Sequence, residues 1–136
     1  MPTETKLPPV KVITTVDVDW DKITNAIIGA FEGGSTDWLR QAEYMPNDKP
    51  VRRGDPAYAE ADFWVNDGQM KLSYDNPEKG PALARKVIGQ TEIAHGLKAM
   101  ASKHPRHFND LVTENDDGIT HDVFIQCVIF GKVIYG

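Results

Sequence analysis

Apolar side chains recur at two different spacings along this chain. Val10, Val12, Thr14 and Val16 alternate with their neighbours, which is the period of a strand. After Asp19, a residue suited to cap a helix, the spacing changes. Trp20, Ile23, Ile27, Ala30 and Phe31 fall on one stripe of a helix. Gly33 or Gly34 can close that helix in a left-handed conformation. Ser35 then stands where an N-cap belongs, ahead of a short second helix carrying Trp38, Leu39 and Ala42. In "ADFWVNDGQMKLSY", residues 61–74, Phe63 and Val65 share one face before the Asp67-Gly68 pair, and Met70, Leu72 and Tyr74 alternate after it. That pattern predicts a hairpin with Trp64 on the opposite face from Phe63. "ALARKVI", residues 82–88, fits a helix or a strand and is read as a strand near Arg85 to Ile88.

The last third reads as helical. Thr91 caps a helix over 92–103 that buries Ile93, Leu97 and Met100, and Pro105 opens another with Phe108, Leu111 and Val112 inward. Thr120 caps the last helix, "HDVFIQCVIF", which is apolar almost all round and so belongs in the middle of the fold. Gly131 ends it, and "KVIY" adds a short edge strand. Residues 1–9, with three prolines, form a loose tail, and residues 10–136 form one domain. Residues 45–59, with three more prolines, form a loop of a length that often carries function. The expected fold is α+β: a small, mainly antiparallel sheet against three or four helices.

Composition narrows the function. The 136 residues are 40% hydrophobic and 26% charged, ordinary for a globular protein. A net charge of −5 argues against general affinity for nucleic acid or an anionic membrane. No apolar run approaches the ~18 residues that would span a bilayer. One cysteine, Cys127, permits no internal disulfide and fits a reducing compartment, so a cytoplasmic location is expected.

Candidate chemistry gathers at "AFEGGSTDWL", residues 30–39. Glu32, Gly33, Gly34, Ser35 and Trp38 admit two readings. The glycines and the serine punctuate two helices while Trp38 packs inside, or the turn presents amide N–H groups and an indole plane to a polar ligand. Lys49, Arg52 and Arg53 are the densest positive charge, and guanidinium groups grip phosphate. Tyr44, Tyr58 and Trp64 stand near enough in sequence to stack on a base. Asp122 and Gln126 lie one turn apart on the otherwise apolar last helix, so they bond a neighbouring backbone or face a pocket. His104, His107, His121, Asp116 and Asp117 match no closed metal motif. No nucleophile–base pattern is legible.

The segment "AFEGGS" with the following Trp38, and the block "HGLKAMASKHPRHFNDLVTENDDGITHDVFIQCVIFGKVIYG" (residues 95–136), resemble an uncharacterised family of small bacteriophage and prophage proteins. The resemblance implies a phage source and an accessory role, in countering host defences or in phage nucleic-acid metabolism. The sequence reading is therefore a non-enzymatic phage accessory protein, without cofactor or bound metal, that sequesters a small polar, nucleotide-like ligand. Its expected ligand-binding residues are Glu32, Gly33, Gly34, Ser35, Trp38, Arg52, Arg53, Trp64, Asp122 and Gln126, and a homo-oligomer is expected. Two alternatives stand beside it: a protein–protein antagonist of a host enzyme, and a metal-dependent phosphoesterase using Asp116, Asp117, Asp122 and the histidines.

Overall fold

In the computed structural model, residues 7–33, 36–78 and 80–136 are described, and they form an α+β domain. Helix α1 spans Trp20–Glu32. Strands β1 (Leu39–Tyr44) and β2 (Lys49–Pro50) follow, then a short helix α2 (Ala61–Val65). Strands β3 (Met70–Asn76) and β4 (Gly80–Ile88) precede three helices, α3 (Gln90–Lys103), α4 (Pro105–Val112) and α5 (Gly118–Phe130). The four strands form one antiparallel sheet in the order β2-β1-β3-β4.

The register assigns the two faces of the sheet. Leu39, Ala42 and Tyr44 align with Tyr74, Leu72 and Met70, and these align with Ala84, Lys86 and Ile88. Met70, Leu72, Tyr74 and Ile88 on this face are buried. The opposite face carries Gln41, Glu43, Lys71, Ser73, Arg85 and Val87. Helix α5 is the centre of the molecule and packs against α3, α1, α4 and β4. Eight of its thirteen residues are buried, from Thr120 to Ile129, which is what its all-round apolar sequence requires. Helices α3 and α5 meet at Gly96, where a Cβ would lie 2.6 Å from the Val128 Cα and 2.8 Å from its backbone N.

Four local expectations are corrected. Residues 10–16 form no strand. They run as part of an irregular, largely exposed arm over residues 7–19, with Val10 88% and Val12 79% exposed, and no strand among the described residues lies beside them. The short second helix expected at 36–42 is strand β1. A register shift between Leu39 and Gln41 puts Leu39 and Ala42 on the same face, three residues apart, and so imitates helical spacing in a strand. The first arm of the expected hairpin is helix α2. Its end is a Schellman turn in which Gly68 N–H donates to the Phe63 carbonyl and Asp67 N–H to the Trp64 carbonyl, with Asp67 at φ 63°. The Asp-Gly pair therefore stops a helix, and β1 takes the place beside β3. "KVIY" forms no strand, for α5 holds its backbone as described below.

Other expectations fit. Pro105 opens α4, and Gly131 closes α5 at φ 71°. The N-cap of α5 is Asp117, whose carboxylate accepts from the Thr120 amide, so Thr120 supports the cap from inside the helix. Helix α3 begins two residues earlier than the Thr91 cap implied, with Gly89 as its N-cap and Glu92 Oε1 accepting from Gly89 N–H at 2.8 Å.

Two outcomes follow. Gly96→Ala should destabilise the domain by about 1–3 kcal/mol, since the new methyl group meets Val128 backbone that cannot swing away. Chemical denaturation with an unchanged slope would measure it. The hydrogen bonds from Thr120 hold the Asp117 carboxyl below its ordinary value of 3.8. Its capping contribution is therefore complete above 3.8 and is lost as pH falls through the lower folded-state value. Asp117→Asn should flatten that acid limb of a stability-versus-pH curve, with its largest loss at neutral pH and little effect in acid, where the parent carboxyl is already protonated.

Candidate functional site

The junction between α1 and β1 is built around the C-terminal end of a helix. Helix α1 leaves its last carbonyls without helical partners, and side chains from later segments find them. Gly33 N–H donates to the Gly29 carbonyl at 2.8 Å, and the Thr36 hydroxyl donates to the Ala30 carbonyl at 2.6 Å. The Arg53 guanidinium donates to the Glu32 carbonyl, and the Tyr58 hydroxyl donates to the Glu32 carboxylate. Tyr58 Oη in turn accepts from Gly54 N–H. The loop that follows β2 is thereby fastened across the end of α1. A cation at this pole also meets the negative end of the helix dipole.

Among the described residues, α1 is followed at this junction by strand β1, so the second helix whose N-terminal amides were expected to face a ligand does not form over Leu39–Tyr44. Gly34 and Ser35 lie outside the described residues. What borders the junction is an open groove of about 360 Å³. Phe31 and Thr36 line it from the α1 side, and Asp37, Leu39, Arg40, Gln41 and Ala42 from β1 and its approach. Val51, Arg53 and Tyr58 close the third side. Phe31 and Tyr58 meet edge to face at 5.4 Å. Burial first, and the bond to Glu32 second, push the Tyr58 hydroxyl up to about 12, so it stays a neutral donor at neutral pH. Arg40 forms an ion pair with Asp75 at 2.6 Å through Nη2, with Nε bonded to the same oxygen at 2.9 Å. The hydrogen bond to Asp75 holds Arg40 firmly charged.

Trp38 sits behind this groove and not in it. It is 4% exposed and stacks on Tyr135 at 5.4 Å with the ring planes 8° apart, with Phe130 and Tyr74 beside it. Its indole Nε1–H donates to Asp122 Oδ1 at 2.9 Å, and Asp122 Oδ2 accepts from Gln126 Nε2 at 2.9 Å. Gln126 is fully buried. Its Oε1 accepts from the backbone N–H groups of Ile134 and Tyr135, both at 2.8 Å, and its Nε2 also donates to the Tyr135 carbonyl. Of the two readings open for Asp122 and Gln126, the structure shows the backbone one. These side chains bind the C-terminal segment where an edge strand was expected, and Trp38, Asp122 and Gln126 form an internal lock.

The remaining expected residues divide. Glu32 and Arg53 reach the junction, and Arg53 lines the groove. Gly33 closes α1, exposed. Arg52 is exposed and does not line the groove; its backbone N–H donates to Asp55. Trp64 is fully buried, with Nε1–H donating to the Tyr58 carbonyl at 3.1 Å, so it supports the loop from below and offers no face to a ligand. His121 Nε2 and Asp116 Oδ2 lie 2.5 Å apart. Among the described residues no three His, Cys, Asp or Glu side chains converge as metal ligands. Burial pushes the Cys127 thiol up to about 11, which makes it a core residue and an inert one.

Sequence reasoning did not mark Phe31, Thr36, Asp37 or Arg40 as groove residues. Phe31 carried only the signal of a core stripe. Arg40 is turned by the bulge in β1, which leaves no periodicity to detect. The groove can bind, orient and neutralise: it offers guanidinium donors, a neutral phenol, a carboxylate and one aromatic face.

Gln126→Ala should cost roughly 2–4 kcal/mol, because it opens a cavity and leaves Asp122 and the half-buried Ile134 and Tyr135 amides short of partners. Hydrogen exchange should show the Ile134 and Tyr135 amides losing protection well before those of α3. Unchanged protection would contradict the lock.

Comparison with known proteins places no relative beside this geometry: no protein-family model, no curated protein and no solved structure matches the chain.

Proposed function

We propose that the protein binds a small polar ligand carrying an anionic group, of nucleotide-like chemistry, in the groove between the end of α1 and β1, and acts by sequestering it. The observation that supports this most directly is the lining of the groove. Two arginines, Arg40 and Arg53, border one open concavity together with Asp37, Thr36 and the aromatic pair Phe31 and Tyr58. A volume of about 360 Å³ suits a ligand of mononucleotide size, since small-molecule sites run from ~300 Å³ upward. Guanidinium groups pair with phosphate oxygens, Asp37 accepts from a sugar hydroxyl or a base N–H, and Phe31 gives a surface for a ring.

Binding without turnover is the reading that fits these groups. Thr36 has its hydroxyl committed to the Ala30 carbonyl, and Tyr58 stays protonated to about 12. Tyr58 keeps that proton although it donates to the Glu32 carboxylate, so neither hydroxyl is an activated nucleophile. On this proposal the resemblance of residues 30–38 and 95–136 to small phage proteins is consistent with capture of a host nucleotide-like molecule.

The test is a thermal-shift and calorimetric screen of the purified protein against mononucleotides, cyclic and linear dinucleotides and inorganic phosphate. Native mass spectrometry should follow exposure to cell extract. A phosphorylated ligand should bind the parent and be recovered unchanged. Arg53→Glu should weaken it at least tenfold, the equivalent of losing about 1.4 kcal/mol of charge-assisted bonding, while Arg52→Glu should have far less effect. A retained host protein with no retained small molecule would favour the antagonist reading instead. Equal affinity in the parent and Arg53→Glu would remove the groove from consideration.

A further inference from the structure

Nine large apolar side chains stand exposed among the described residues, and their distribution is uneven. Leu7, Val10, Val12, Ile13 and Val16 belong to the N-terminal arm, with Ile13 98% exposed. Leu83 and Val87 belong to β4. Seven of the nine thus lie on two segments, and among the described residues each lacks a strand neighbour on at least one side. Among the described residues the arm pairs with no strand, and β4 is a terminal strand of the sheet, bonded to β3 alone.

The two segments are matched in what they need. Residues 10–16 read VKVITTV, six of the seven β-branched, which is the composition that favours a pleated, half-buried strand. Residues 82–88 of β4 offer a run of the same length, about 23 Å at strand spacing, with a row of unpaired N–H and C=O groups along its outer edge. The usual protections of an edge strand are thin there. The proline, Pro81, lies at the start of the strand, and Lys86 turns inward to donate to the carbonyls of Val128 and Ile129. Arg85 is the one cation on the solvent side of that run, and the arm brings Asp17 and Asp19 at its root as opposite charges.

The chain does not satisfy this edge with its own arm. The root of the arm, Thr14 to Val18, lines an apolar groove of about 480 Å³ together with Ile93, Leu97 and Phe108 of α3 and α4, while residues 7–13 are exposed. We propose that the arm of one copy adds as a fifth strand to the free edge of β4 in a second copy. Done reciprocally, the exchange closes a two-fold dimer and covers the apolar side chains of both segments.

Sedimentation equilibrium of the full chain tests this. The parent should have twice the mass of one chain. Val12→Asp with Ile13→Asp in the arm, and separately Leu83→Asp with Val87→Asp on β4, should each give a monomer with the far-ultraviolet spectrum of the parent, because all four side chains are exposed in the single chain. A parent that stays monomeric overturns the proposal, as does a dimer that survives the arm substitutions. Dissociation by the arm pair but not by the β4 pair would also overturn it, since the arm would then dock elsewhere.

Discussion

The amide of Gln126 is the constraint from which the architecture follows. A fully buried, neutral side chain on an apolar helix must find partners for both of its polar atoms, and here they are found in three places at once. Asp122 on the same helix, the backbone of Ile134 and Tyr135, and through Asp122 the indole of Trp38 are tied together. The C-terminal segment is thereby fixed without joining the sheet, and the entry to β1 is fixed against α5. Tyr135 extends the connection, since it stacks on Trp38 while its hydroxyl donates to the Asp75 carbonyl, and the Asp75 carboxylate holds Arg40. A bond in the core thus reaches an arginine on the rim of the groove.

A second regularity governs the periphery. Helices α1, α4 and α5 have no basic residue in their last turn, and each receives a cation from elsewhere in the chain. Arg53 donates at the end of α1, Lys22 to the Val112 carbonyl at the end of α4, and Lys86 to Val128 and Ile129 near the end of α5. Unpaired carbonyls and the negative end of the dipole make these positions attractive to positive charge. The groove is a consequence at α1. The loop after β2 must cross the helix end to deliver Arg53, and the space it bridges is the concavity proposed to hold a ligand.

Much of the fold was legible in the pattern of residues, for reasons that can be stated. Helices α1, α3, α4 and α5 combine length, a caps-and-proline grammar and either a stripe or an all-round apolar surface, and neither signal depends on distant partners. Strand β3 was legible because Met70, Leu72 and Tyr74 alternate along the face that packs on the core. The errors share a cause as well. In β1 a bulge moved Leu39 and Ala42 to helical spacing, and in α2 a two-residue alternation was produced by a single helical turn. Segments this short carry too few residues for their period to outvote their surroundings. The arm had the composition of a strand but no neighbour among the described residues to complete one.

By itself the sequence determined the fold class, the central position of α5 and the long helices, because local periodicity and capping fix these before any distant contact forms. Only the tertiary structure decided which face of each polar residue mattered. Trp38, Asp122 and Gln126 became an internal lock, Trp64 a buried support, and Arg53 and Arg40 the groove. The direction of a side chain depends on which far segment arrives beside it, and hydrogen bonds between residues dozens of positions apart leave no period in the sequence from which to read them.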